Sequence, residues 1–297
     1  MFRTKNQSSE DRLFDTISYL SLIFFALIVL YPLYFIIIAS ISDPDMVSSG
    51  QIWFLPKGIT FDGYKRIFED NSILLGYRNT LIYAGLGAII SVAMTVSGAY
   101  PLARKDFYGR NFFMAVFVFT MFFGGGLIPT YLLVKSLGML DTIWAMVIPG
   151  AVSVWNLIIT RTFFQLNIPE ELREAAFMDG CSDLRFFVKI VLPLSRPIIA
   201  VLALFAIVGQ WNGFFDALIY LSNEKLYPLQ LVLRKILIQS EPQLGMMVDV
   251  DTLAAKLKVR ELIKYSSIVV SSVPVLIIYP FIQKYFVKGV MIGSIKG

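Results

Sequence analysis

Few side chains in this 297-residue sequence are equipped for covalent or metal chemistry. Histidine is absent and Cys181 is the sole cysteine, which excludes a disulfide within the chain and a Cys/His zinc site. A nucleotide-binding loop needs G-x-x-x-x-G-K-[ST]; Gly289-x-x-x-Gly293 is followed by Ser294 and has no such lysine beside it. No catalytic residue, metal site or cofactor is therefore assigned to this chain, and no nucleic-acid partner is expected. Two stretches place polar groups where docking or passage of a solute needs them. One is "REAAFMDGCSDLRFFVKIVLPLSRP", residues 173–197; the other is "GQWNG", residues 209–213.

Both stretches are embedded in apolar sequence. Apolar residues make up 57% of the chain and charged ones 16%, against roughly 45–50% and 25% in soluble domains. A bilayer core of about 30 Å needs about 20 apolar helical residues. Six segments meet that requirement: Ser18–Ile41, Leu81–Leu102, Phe112–Val134, Ile143–Phe164, Pro197–Phe215 and Tyr265–Ile282. The first is too long for a secretory signal and has no A-x-A site after it, so it reads as an uncleaved span. Arg161 carries the one charge within these segments and lies near an end, where it can snorkel to the interface. Lys and Arg totals on the two sides are nearly equal. The short, dense loop "ARKDFYGRN" decides for both termini inside.

With that topology, residues 173–197 lie in the cytoplasm between the fourth and fifth spans. Pro169 suits a helix N1 position, Glu170 and Glu171 favour the positive end of the dipole, and Gly180 can take the left-handed conformation that ends a helix. Leu172, Ala175 and Ala176 are then expected on one apolar face, flanked by Glu174 and Phe177. Ser182 can cap a second helix, with a stripe of Leu184, Phe187, Val188 and Val191 running until Pro193 stops it. A folded, amphipathic loop of this kind is shaped to dock.

Glu174-Ala175-Ala176, three residues, Gly180, nine residues and Ile190-Val191-Leu192-Pro193 resemble the EAA-x3-G-x9-I-x-L-P loop of ATP-binding-cassette importer permeases at every fixed position. The resemblance extends over about residues 75–297. Trp211-Asn212 and the tail "KGVMIGSIKG" are similar to the sugar-importer branch, the maltose-type second permease, and within it the LplC/YtcP subgroup that includes a permease of an alginate importer. It implies an all-α membrane protein with the type I importer (MetI-like) permease fold of six transmembrane helices, both termini cytoplasmic. It also implies a second permease, a different chain from this one, with which this chain forms the translocation pathway. Two cytoplasmic ATPase subunits bind the ATP and Mg, and an extracytoplasmic solute-binding protein delivers an oligosaccharide. The loop would be the coupling helix seated in one ATPase, through Glu174, Ala175, Ala176, Asp179, Gly180, Ile190, Leu192 and Pro193, with Glu174 making a polar contact. The bacterial inner membrane is the implied location.

The chain then divides into 1–74 (N-terminus, first span and outer loop), a permease core over 75–286 that carries the coupling loop 168–197, and a cytoplasmic tail over 287–297. An unsatisfied amide in hydrocarbon is costly, so Gln210 and Asn212 should face a cavity or another helix. Trp211 either stacks on a sugar ring or sits in an interfacial aromatic belt, and Gln210 either lines the pathway or bonds between helices. Asn156, Ser91, Thr95 and Ser97 are further candidates on other spans. Gly124, Gly125 and Gly126 in "FFGGGLIPTY" imply close helix packing in preference to a bend. Residues 42–78 and 222–264 form outer loops, with "TLAAKLKVRELIK" as a surface amphipathic helix. A non-sugar solute is an alternative cargo. An ion-coupled carrier is disfavoured, because no carboxylate or histidine lies within a span.

Overall fold

The computed structural model describes residues 9–239, 258, 260–277 and 280, and among them every regular element is helical. Two compact units lie within Met1–Glu69 plus Ile236–Ser272, and within Asp70–Lys235 plus Val273–Gly297. This division departs from the expected one: residues 260–272 group with the N-terminal segments, and the core starts at Asp70.

In the first unit, α1 (Ser9–Ser40) opens with Glu10 and Asp11 in its first turn, the favourable end of the dipole for acids. Its side chains from Leu13 to Leu33 are largely exposed. Asp43 accepts from the Asp45 N–H at 2.8 Å and starts α2 (Pro44–Ser48), where Pro44 takes the first turn. α3 (Asp62–Glu69) places Gly63 against the helix over 260–277. A Cβ on Gly63 would lie 2.5 Å from the Leu262 carbonyl, so only glycine fits. Ile38, Ala39, Val47 and Ile52 form this unit's small core, with Phe35 and Tyr265 packed on it.

The second unit is organised around α4 (Asn71–Ala103), 33 residues and about 50 Å long at 1.5 Å per residue. Asp70 caps it by accepting from the Ser72 N–H at 2.8 Å. At its start Asn79 Nδ2 donates to the carbonyls of Lys225 and Tyr227, Tyr83 Oη donates to that of Leu226, and Thr80 Oγ1 accepts from the Leu229 N–H. This polar staple holds the 3₁₀ turn Glu224–Leu226 and the start of α14 (Leu229–Gln239). α8 (Val154–Asn167) and α12 (Arg196–Asn212) pack along α4. Their core includes Val96, Ala99, Leu102, Leu157, Phe164, Ile198 and Leu202.

Several expected spans are interrupted. The third is broken into α5 (Arg110–Phe122) and α6 (Leu127–Ser136), bent by 113°. Here the glycines make the bend rather than close packing within the chain: Gly124 has no atom near the position of a Cβ, and Gly126 has φ +83°. The fourth is split into α7 (Ile143–Val147) and α8 by the non-helical stretch around Pro149 and Gly150. In the fifth, α12 runs through Gln210, Trp211 and Asn212 and stops at Gly213, before α13 (Phe215–Tyr220). Helix persists there because both amides find carbonyls, Gln210 Nε2 that of Met146 and Asn212 Nδ2 that of Val208. The expected sixth span is helical over 265–277, and most of its remainder, most of "TLAAKLKVRELIK" and the tail 287–297 lie outside the described residues. Among the described residues, Glu10–Ser40 and Asn71–Ala103 are long and apolar enough to cross a membrane unbroken.

Candidate coupling site

α9 (Glu170–Met178) begins after Pro169, with Glu170 and Glu171 in its first turn. It ends as the sequence predicts. Gly180 has φ +76°, its N–H donates to the Phe177 carbonyl at 2.9 Å, and the Cys181 N–H donates to the Ala176 carbonyl at 2.9 Å. Paired bonds of this kind around a left-handed glycine satisfy carbonyls that a helix end leaves open. Asp179 is the capping residue before it, with its N–H on the Ala175 carbonyl.

The helix turns a different face inward from the expected one. Ala176 enters the core and the Arg173 side chain is largely buried, whereas Leu172, Glu174, Ala175, Phe177 and Met178 are exposed. Glu171, Glu174, Ala175 and Met178 therefore form the outward stripe at i, i+3, i+4, i+7. Ser182 stands at the start of α10 (Asp183–Phe186) but its side chain makes no capping bond. A π segment, Phe187–Val191, follows, and α11 (Leu192–Leu194) continues it. The extra residue per turn explains why the expected stripe fails: Phe186 and Val191 are buried, Phe187, Ile190 and Leu192 pack against the core, and Leu184 and Val188 point out. Pro193 is accommodated within this run. The chain turns by 77° only at Ser195, whose buried Oγ donates to the Val191 carbonyl at 2.7 Å.

A charged network that the sequence reading did not identify fastens this loop. Arg104, at the end of α4, grips Asp106 with two bonds of 2.9 and 2.5 Å and reaches Asp183 at 2.6 Å. Asp106 also accepts from Arg173 at 2.7 Å, and Lys105 pairs with Glu170 at 3.0 Å. The hydrogen bonds from Arg104, followed by those from Arg173, outweigh desolvation and hold the Asp106 carboxyl well below the usual carboxylate range. Because the folded value is depressed, the stabilisation is complete above the ordinary carboxylate pKa of about 4 and is lost only as pH falls through the lower folded value. Asp106 is therefore ionised at neutral pH. A cleft of 470 Å3 lies beside it, lined by Tyr100, Arg104, Arg110, Phe164, Arg173 and Phe186 among others. Arg173 Nε is buried and has no hydrogen-bond partner among the described residues. Arg161 Nε donates to the Leu102 carbonyl at 2.9 Å, so this arginine closes the end of α4.

The pathway candidates lie apart from this loop, at the other end of α12 and on the first turn of α8. Trp211 is 2% exposed with its ring centroid 6.1 Å from that of Tyr77, which leaves no open face for a sugar and removes it from an interfacial belt. Gln210 bridges to the Met146 carbonyl and packs on Gly87, where a Cβ would come within 3.2 Å of its side chain. Asn212 is exposed and Asn156 half-buried, the latter on a turn capped by Ser153. Of the other polar candidates, Thr95 is fully buried, while Ser97 donates to the Ala93 carbonyl of its own helix.

Comparison with known proteins accounts for this arrangement over nearly the whole chain. The permease YtcP of the Bacillus subtilis (strain 168) polygalacturonan/rhamnogalacturonan transport system is 42% identical, over 97% of this chain and all of the relative. Protein LplC of the same organism is 40% identical, over 99% of this chain and 98% of the relative. A chain of a solved bacterial ABC transporter involved in the import of the acidic polysaccharide alginate superposes with a TM-score of 0.83. It shares 35% identity and matches 95% of this chain and all of its own. The family model for the binding-protein-dependent transport system inner membrane component matches residues 72–292, from the first turn of α4 onward and with the whole loop over 168–197 inside it. A helical membrane chain with an exposed, glycine-ended helix pair thus has the sequence and fold of an importer permease, and it belongs to the family of binding-protein-dependent transport system inner membrane components.

Proposed function

We propose that this chain is one permease of an ATP-driven importer for oligosaccharides, with uronate-bearing chains as the preferred cargo. The substrate class rests on YtcP and the alginate transporter, both named for polymers of acidic sugars. A solute-binding protein supplies the cargo from outside, a second, different permease completes the pathway, and two ATPase chains bind ATP and Mg on the cytoplasmic side. Asn212 and Asn156 offer amides to the pathway, and Gln210 and Trp211 support it from within the helix bundle.

The observation that carries the reading is the outward face of α9. Glu174 and Ala175 are exposed there beside Met178, which is 90% exposed, and the Gly180 turn fixes their direction. A surface that sets Ala175 and Met178 beside the carboxylates of Glu171 and Glu174 is suited to a cleft on another protein. A charge-assisted contact is worth about 1.5–3 kcal/mol, up to roughly two powers of ten in affinity. Glu174→Ala is therefore expected to reach normal membrane levels yet lose most copurifying ATPase. Retention of ATPase and of full uptake by the variant would overturn the assignment.

A further inference from the structure

We propose that Arg104 and Asp106, outside the docking motif, are positioning residues that pass ATPase movement from both helices of the coupling loop into α4. This rests on the coupling reading of α9 above. The geometry is specific: Asp106 holds α9 through Arg173, Arg104 holds α10 through Asp183, and Arg104 and Asp106 hold each other through a two-bond grip. Isolated exposed ion pairs contribute little, but bidentate geometry and a shared network are the conditions under which they matter. Both arginine side chains are about four-fifths buried, with 20% and 21% exposed.

The network lies at a mechanical junction. α9 enters the core chiefly through Ala176, and its backbone has few close neighbours on other helices. Its outward side is committed to docking, so a push from a seated partner must leave through Arg173 and its neighbours. Arg104 directly continues α4, a single unbroken helix whose far end carries the Asn79, Thr80 and Tyr83 staple. Cutting the charge contacts leaves the docking face in place but lets α9 and α10 slip relative to α4. Hydrolysis would then continue without moving the pathway.

The test uses the complete importer in sealed vesicles, measuring ATP hydrolysis and uptake of labelled oligogalacturonate together. Asp106→Asn keeps size but weakens both arginine contacts; Asp106→Glu keeps the charge. Expected for Asp106→Asn are normal ATPase copurification and at least a tenfold rise in ATP hydrolysed per solute imported. Asp106→Glu should stay within about threefold of wild type. Asp183→Asn, which removes only the α10 arm, should give an intermediate rise and serves as the readout if Asp106→Asn fails to accumulate. An unchanged ratio in the accumulating asparagine variant overturns the proposal, as does loss of ATPase in step with loss of uptake. A wild-type chain that recruits no ATPase would instead overturn the docking reading itself.

Discussion

Asn212 and Trp211 are adjacent in sequence and opposite in circumstance. The tryptophan is enclosed against Tyr77, whereas the asparagine reaches outward and spends one amide hydrogen on the Val208 carbonyl. Its remaining donor and acceptor positions are what a hydroxyl-rich solute needs. Asn212→Ala is expected to lower uptake several-fold with assembly of the complex intact. Trp211→Ala should instead reduce the amount of folded chain, since emptying such a site costs about 3–5 kcal/mol. Equal uptake per assembled complex in wild type and Asn212→Ala would remove Asn212 from the pathway.

The helix pair of the docking loop depends on one backbone conformation. Gly180 at φ +76° closes two hydrogen bonds back into α9 and sets the direction in which α10 leaves. No atom lies within 4 Å of where a Cβ would stand, so the obstacle to substitution is torsional rather than steric contact with neighbours. A β-branched residue strongly disfavours that region. Gly180→Val should insert normally, because the turn is outside the apolar spans, yet lose substrate-stimulated ATP hydrolysis more completely than Glu174→Ala. Full stimulation in the purified Gly180→Val complex would show that the loop tolerates another path.

At the scale of the whole molecule, the proposed function predicts the docking loop and the Arg104–Asp106 network on the cytoplasmic side of the membrane and the loop around Gly50 outside. The charge-dense loop "ARKDFYGRN" predicts that orientation by the positive-inside rule. In a Cys181→Ser background, a cysteine at Gly50 should react with an impermeant reagent in intact cells. One at Gly109 should react only after permeabilisation. Both positions are turns with positive φ, Gly50 exposed and Gly109 partly buried, and cysteine there carries some strain. The reverse labelling pattern would place the docking loop away from any cytoplasmic ATPase.

The sequence alone determined the membrane class, the docking motif and the glycine-ended turn. Each depends on local chemistry: uninterrupted apolar length, residue type at short spacing, and a φ that glycine adopts readily. Tertiary structure decided what depends on distant partners. Asp106 meets Arg173 across 67 positions and Arg104 meets Asp183 across 79, and no periodicity announces such pairs. The π segment at Phe187–Val191 shifts the register of the second stripe, so Phe186 and not Leu184 is buried. The GGG run pointed to close packing in preference to a bend, but the open space around Gly124 together with the left-handed Gly126 makes it a bend. Of the two roles open to Gln210, the bond between helices is formed because the Met146 carbonyl, 64 residues away, lies within hydrogen-bonding reach. Burial of a polar group is set by the partner that satisfies it, and that partner is chosen only when the helices assemble.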